Sequence, residues 1–225
     1  MDTGSDPVVR LGRLDSCAVS DALDSLGLPP AVTGLRAMTT GKRIAGRIVT
    51  VKLGAARIEG APMRHLCTAA VEAAAPGDVL VIEQRTGIDA AGWGGVLSHA
   101  AVARRIAGVI VDGPARDIDE AAELGFPVYA RSATARTARG RIYEQGFNVP
   151  VALGDTIVAP GDLVLADASG VVLIPAARAE AVIATAERIV AKERLMAVDV
   201  RAGQPVSRVM GASYEHMLDG GKVKG

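Results

Sequence analysis

Apolar positions along the chain fall into two spacings. Ala18, Val19, Ala22, Leu23 and Leu26 return every three or four residues, which predicts a helix capped by Asp15 or Ser16 and ended by Gly27, Pro29 and Pro30. Ile44 to Leu53 alternates and carries the β-branched Ile48, Val49 and Val51, the mark of a strand. Residues 61–74 read as a short Ala-rich helix. Gly92-Trp93-Gly94-Gly95 opens a helix running to about Ala107, Val109–Val111 is a short apolar strand, and Asp112–Ala115 reads as a turn. A helix starts near Asp117, and Phe126–Tyr129 is a strand. A long helix follows Pro175 to about Met196, with Val182, Ile183, Ala186, Ile189 and Val190 on one face. Such strand–helix alternation predicts an α/β layered fold.

Two segments share a pattern: Pro76-Gly77-Asp78-Val79-Leu80-Val81 and Pro160-Gly161-Asp162-Leu163-Val164-Leu165. Each sets a Pro-Gly turn before an apolar strand, and the second continues through Asp167–Gly170 into a returning strand at Val171–Ile174. Two copies are too few for a solenoid. The expected division is a flexible arm over 1–13, one domain over 14–197, and a C-terminal tail over 198–225 available for subunit contact.

The 225 residues are 49% hydrophobic, enough for one real core. Twenty-five basic residues balance 25 acidic ones, so no basic field draws nucleic acid or an anionic membrane. Aromatic residues make up only 3%, which argues against a base-stacking platform. Cys17 and Cys67 form no CxxC pair, in keeping with a reducing cytoplasm. The polar N-terminus lacks a signal-peptide layout, and no apolar run is long enough to span a membrane.

Two constellations can carry chemistry. Gly92-Trp93-Gly94-Gly95-Val96-Leu97 feeds a helix whose first N–H groups lack partners, a cradle for a carboxylate or phosphate; it is equally a tight turn that needs glycine. Asp112-Gly113-Pro114-Ala115-Arg116-Asp117 joins a strand to the next helix, the edge where α/β sheets bind ligands. Arg116 can fork onto a carboxylate, and Asp117 can offer oxygen to a hard cation. The plain alternative has Asp117 capping the helix and Arg116 pairing with Asp119 or Glu120.

Gly94-x-Val96-Leu97 followed by Ile106-Ala107-Gly108-Val109-Ile110-Val111-Asp112-Gly113-x-x-Arg116-Asp117 closely resembles the RraA-like superfamily. Ser20-Asp21-Ala22-Leu23 and both Pro-Gly-Asp segments add to the likeness, which covers roughly residues 14–195. That superfamily includes the 4-hydroxy-4-methyl-2-oxoglutarate / 4-carboxy-4-hydroxy-2-oxoadipate aldolases and regulators of ribonuclease E activity. The resemblance implies a compact swivelling β/β/α domain, assembled as a homotrimer or a dimer of trimers (a homohexamer). It implies a lyase using Mg²⁺ or Mn²⁺ to cleave a 2-oxo acid through a pyruvate enolate, by aldol cleavage or oxaloacetate decarboxylation. Asp117 would hold the ion, Arg116 would contact the pyruvate unit, and backbone N–H groups of the Gly94, Gly95, Val96, Leu97 run would hold its carboxylate. A late-helix glutamate, here Glu193, would act through water on a neighbouring subunit's site; the plain alternative is a rim residue on an otherwise apolar stripe, paired with Lys192 or Arg194.

The chain departs from the aldolases at Gly95, where they carry an acidic residue; Asp89 and Asp112 are the candidate replacements. His99 is either a second-sphere base or a packed helix residue, and Trp93 either walls the site or is structural. Two other functions compete. One is a protein-binding regulator like the ribonuclease regulators; the other is a lysine-dependent lyase, with Lys52 as the candidate.

Overall fold

The computed structural model describes residues 6–29, 31–39, 41–60 and 64–211. In chain order these form α1 (Pro7–Leu11), α2 (Ser16–Ser25), β1 (Arg36–Ala37), β2 (Ile44–Gly54), α3 (Thr68–Ala73), β3 (Val79–Glu83) and α4 (Gly95–Ala103). There follow β4 (Gly108–Ala115), α5 (Ile118–Glu123), β5 (Val128–Ala133), β6 (Tyr143–Phe147), β7 (Val151–Leu153) and β8 (Thr156–Val158). β9 (Leu163–Ala166), β10 (Val171–Ile174), the long α6 (Ala179–Arg201) and α7 (Val206–Val209) complete the chain.

β2, β3, β4 and β5 run parallel, and β1 joins β5 antiparallel. β2 is long because three partners share it: β9 pairs with Ile44–Arg47, β3 with Ile48–Lys52, and β6 with Val51–Gly54. Alternation sorts the side chains of these strands onto two faces. Leu80, Ile82, Val109 and Val111 pack with α3, α4 and α5, whereas Val79, Val81 and Ile110 face the β7–β8 hairpin and the β9–β10 pair. A third cluster lies between β9–β10 and the layer of α1, α2 and α6. The layered α/β architecture matches the expectation.

Both Pro-Gly-Asp segments fold alike. Gly77 and Gly161 take φ of 89° and 88°, a region open chiefly to glycine. In each the aspartate turns back on the chain: Asp78 Oδ2 accepts from Ala75 N at 2.8 Å and Asp162 Oδ2 from Ala159 N at 2.9 Å.

Several elements differ from the sequence reading. The expected flexible arm is helical over Pro7–Leu11, with Leu11 fully buried and Arg10 bridging Glu180 and Glu187 of α6 at 2.8 and 2.7 Å. Asp112–Ala115 is strand rather than turn: after a bulge beyond Val111, Pro114 and Ala115 pair with Ser132 and Ala133. α4 stops at Ala103 because Arg105 takes φ 59° and Ala107 N already bonds Asp78 O. The helix expected over 61–74 starts at Thr68, after Cys67 at φ 66°; residues 61–63 lie outside the described set. Of the C-terminal tail, α6 runs on to Arg201 and α7 follows, while 212–225 lie outside the described residues. No described helix is long and apolar enough to cross a membrane.

Asp15 caps α2, leaving Ser16 to bond Asp167 between β9 and β10 through its hydroxyl (2.6 Å) and N–H (2.8 Å). Burial pushes the Asp167 carboxyl up, but these bonds, Ser169 N–H and Arg43 outweigh it and hold it below its usual range. A depressed folded value gives stability that is present above the unfolded value and lost as pH falls through the folded one. Ser16→Ala should therefore cost about 1–2 kcal/mol in urea unfolding at neutral pH. The gap to the wild type should narrow as pH drops below the ordinary aspartate range.

Candidate active site

The site forms at the C-terminal end of parallel strand β4, where the chain turns into α5. Two backbone bonds clamp that end to the glycine turn: Pro114 O accepts from Gly92 N at 2.9 Å, and Trp93 O accepts from Arg116 N at 3.0 Å. They bring Arg116 and Asp117 against the start of α4. Trp93 anchors the turn from beneath: its ring is buried, it lies against Phe126 with centroids 6.1 Å apart, and its Nε1 donates to Ser98 Oγ at 2.9 Å.

Asp117 sits at φ 56°, ψ 41°, a left-handed conformation that aspartate tolerates better than most residues and that still carries a cost. Its Oδ2 accepts the Gly95 N–H at 2.8 Å. Arg116 turns its Nε back on the same carboxylate at 3.1–3.2 Å, and among the described residues both of its Nη groups are left for another acceptor. Val96 and Leu97, second and third in α4, have N–H groups with no intrahelical acceptor, at the positive end of the helix. Gly94 leaves the space open: a Cβ there would lie 2.9 Å from Asp117 Oδ2 and 3.3 Å from Arg116 Cγ.

These groups line a cavity of about 380 Å³ closed on the far side by His65, Leu66, Thr137, Ala138 and Arg139. A neighbouring cavity of about 410 Å³ shares His65, Leu66, Ala138 and Arg139 with it. Sequence reading missed this wall, because 65–68 and 137–139 carry no motif and meet only through the fold. Glu144 helps to set it, receiving Cys67 N at 2.7 Å and Arg64 Nη2 at 2.7 Å. The Cys67 thiol lies buried beneath, and burial followed by Glu144 pushes it well above its usual range, so it stays protonated.

The structure thus brings together Gly94, Gly95, Val96, Leu97, Arg116 and Asp117. Within one chain Glu193 stands elsewhere: α6 contributes nothing to the cavity lining. Burial first, then Asp15 and Asp21, raise its carboxyl above the usual range. Neither candidate replacement for an acid at position 95 reaches the site. Asp112 is buried and holds Arg131 Nε at 2.6 Å and Gly154 N at 2.7 Å, while Asp89 is exposed and faces Arg136 at 3.5 Å. His99 is not packed; it is exposed, with Nε2 3.0 Å from Glu120 Oε1. Lys52 is half-exposed, 3.7 Å from Glu83, and absent from the cavity lining, so it does not face the site. His216 lies outside the described residues.

The donor set suits a hard divalent cation. A carboxylate is present at a glycine-cleared opening, and no three His, Cys, Asp or Glu residues converge among the described residues. That is no cage for zinc, but Mg²⁺ or Mn²⁺ needs only one or two protein carboxylates and keeps its waters.

The family model described as RraA-like, Aldolase/RraA, matches residues 16–173. The chain belongs to the RraA-like family. Among curated relatives, protein DlpA of Legionella pneumophila is 26% identical over 81% of this chain but only 29% of its own length. A Halalkalibacterium halodurans protein, provisionally named 4-hydroxy-4-methyl-2-oxoglutarate aldolase, is 31% identical over 81% of this chain and 83% of its own. Among solved structures, Streptomyces coelicolor RraAS2 aligns with TM-score 0.75 at 28% identity, covering 85% of this chain and 95% of that one. It is described as an unusual member of the RNase ES inhibitor RraA family. The RraA-like family therefore offers an aldolase reading and a regulator reading.

Gly94→Ala tests the clearance around Asp117. The added methyl should push Asp117 off Gly95 N–H and sharply reduce ligand binding at the cavity. Global stability should fall by no more than about 1–3 kcal/mol, the range for overpacking. Ligand titration beside urea unfolding checks both.

Proposed function

We propose that this RraA-like protein is a divalent-metal-dependent lyase that cleaves a C–C bond of a 2-oxo acid, by aldol cleavage of a 4-hydroxy-2-oxo acid or by decarboxylation of oxaloacetate. The observation that carries the reading is the adjacency of Arg116 and Asp117 beside the free N-terminus of α4, inside one cavity. An oxo acid offers a carboxylate and a keto oxygen side by side. Val96 and Leu97 N–H groups fit the carboxylate, and the Arg116 Nη pair adds a fork to it. Asp117 would hold Mg²⁺ or Mn²⁺, which when bound would supply a Lewis acid for the negative charge on the keto oxygen. Asp117 is itself pinned by Gly95 N–H, so its geometry is set before ligand arrives. The aldolase name of the Halalkalibacterium relative supports the chemistry, and the natural substrate is left to assay. Assembly as a trimer or dimer of trimers, with Glu193 serving a neighbour's site, belongs to the same proposal.

The regulator reading draws on the likeness to RraAS2. A binding module has no need of an aspartate and an arginine held together in a cavity, which favours the enzyme.

The test is oxaloacetate decarboxylation with Mn²⁺ or Mg²⁺, with and without a chelator. Activity should vanish on chelation and return with metal. Asp117→Asn keeps a residue suited to the left-handed backbone but removes the charge, and should cut turnover at least about 100-fold, beyond the usual loss of an outer-shell group. Arg116→Lys keeps charge but loses the fork, and should lower kcat/KM by about 10–100-fold. Turnover that survives full chelation, or an Asp117→Asn enzyme as fast as wild type, sinks the reading. Borohydride trapping of pyruvate on Lys52 would replace it with lysine chemistry.

A further inference from the structure

Resting on the metal reading above, we propose that Glu120 is a positioning residue of the site: it holds a water of the cation's hydration shell, and position 95 is glycine because Glu120 occupies the space of its side chain. A Cβ placed on Gly95 would overlap Oε2 of Glu120 and lie 3.0 Å from Oε1. The carboxylate thus reaches from α5 back over the first residue of α4, the residue whose N–H fixes Asp117 Oδ2. Two carboxylates therefore adjoin Gly95, one at its nitrogen and one at its α-carbon.

The two oxygens of Glu120 are placed differently. Oε1 is tied to His99 Nε2 at 3.0 Å, an interaction between the two helices that fixes the carboxylate plane. Oε2 lies over Gly95 and takes no protein hydrogen bond among the described residues. Glu120 stands behind Gly95 rather than in the cavity lining and is half-exposed, so it can reach a bound cation only through water, and water reaches that oxygen. A hydrated Mg²⁺ or Mn²⁺ at Asp117 presents waters as hydrogen-bond donors, and a nearby carboxylate with a free lone pair is the acceptor they need. This also accounts for the departure at Gly95: negative charge near the site comes from the third residue of α5 instead of the first residue of α4. His99 then has a task, orienting Glu120 through Oε1.

The experiment is Mn²⁺ titration of the metal-stripped 225-residue chain by calorimetry, with water-proton relaxation of the bound Mn²⁺ as the second readout. The variants are Glu120→Gln, Gly95→Asp, the double Gly95→Asp/Glu120→Ala, and Asp117→Asn. Glu120→Gln should weaken Mn²⁺ binding about 10–100-fold. It should change the relaxation of the bound ion's waters while leaving thermal unfolding in place, since the residue is half-exposed. Gly95→Asp alone should be poor, because two acids compete for one space. The double variant, which moves the carboxylate from α5 to α4, should regain most of the lost affinity. Glu120→Gln with wild-type Mn²⁺ affinity and relaxation, while Asp117→Asn loses the ion, would reduce Glu120 to a surface partner of His99 and overturn this inference alone. Failure of the double variant to recover beyond Glu120→Gln would also count against it. Mn²⁺ uptake unaffected by Asp117→Asn, or absent in the wild type, overturns the metal reading itself.

Discussion

The hydrogen bond from Gly95 N–H to Asp117 Oδ2 joins the two halves of the site. One partner is the first residue of α4; the other sits at the junction of β4 and α5. A bond to a charged acceptor contributes about 1.5–3 kcal/mol, enough to offset the left-handed backbone that Asp117 must adopt. It closes only because Gly94 carries no Cβ, which would crowd that same oxygen. Around it, the pairs Gly92–Pro114 and Arg116–Trp93 work as rungs, so that the glycine turn and the end of β4 move as one body. Trp93 fixes that body to the core through Phe126 and Ser98. A helix N-terminus, a guanidinium and a carboxylate are thereby held together before any ligand binds, the condition for electrostatic preorganisation.

The fold was legible where the chain had a clear period. β3, β4 and β9 are apolar runs behind turn residues, and α2 and α6 show one apolar face; each lies close to where periodicity put it. It was illegible where tertiary contact overrode local signal. Asp112–Ala115 contains Gly and Pro and reads as a turn, yet sheet pairing with β5 beyond a bulge keeps it extended. Pro7–Leu11 is too short for a helical period to register, and becomes ordered because α6 offers Glu180 and Glu187 to Arg10 and a buried slot receives Leu11. Tyr143–Phe147 lacks alternation and is a strand because it lies against the end of β2.

The site divides in the same way. Gly94 to Leu97 and Arg116–Asp117 were visible because their neighbours in sequence are their neighbours in space. The wall from His65 to Thr68 and from Thr137 to Arg139 was not, since those segments are far apart in the chain and meet only in the fold. Asp112 looked available as a free acid because sequence does not reveal that Arg131 and the Gly154 N–H claim both its oxygens. That network has its own consequence: it fastens the β7–β8 hairpin to the sheet through a buried charge whose partners are all present.

Position 95 shows how one small residue can report a larger one. Read alone, a glycine there is an acid lost. In the fold it is a vacancy that the Glu120 carboxylate from another helix fills, so an acid stands beside that position although it comes from elsewhere in the chain. The exchange is not neutral in mechanics. A carboxylate on the first residue of α4 would ride on the same backbone that carries the unpaired N–H groups of Val96 and Leu97. Glu120 stands instead on α5, directly after Asp117, and is braced across the interhelical gap by His99. The two carboxylates therefore stand at the start of α5 and the unpaired N–H groups at the start of α4, and the Gly95–Asp117 bond, the His99–Glu120 contact and the backbone rungs keep the two in register.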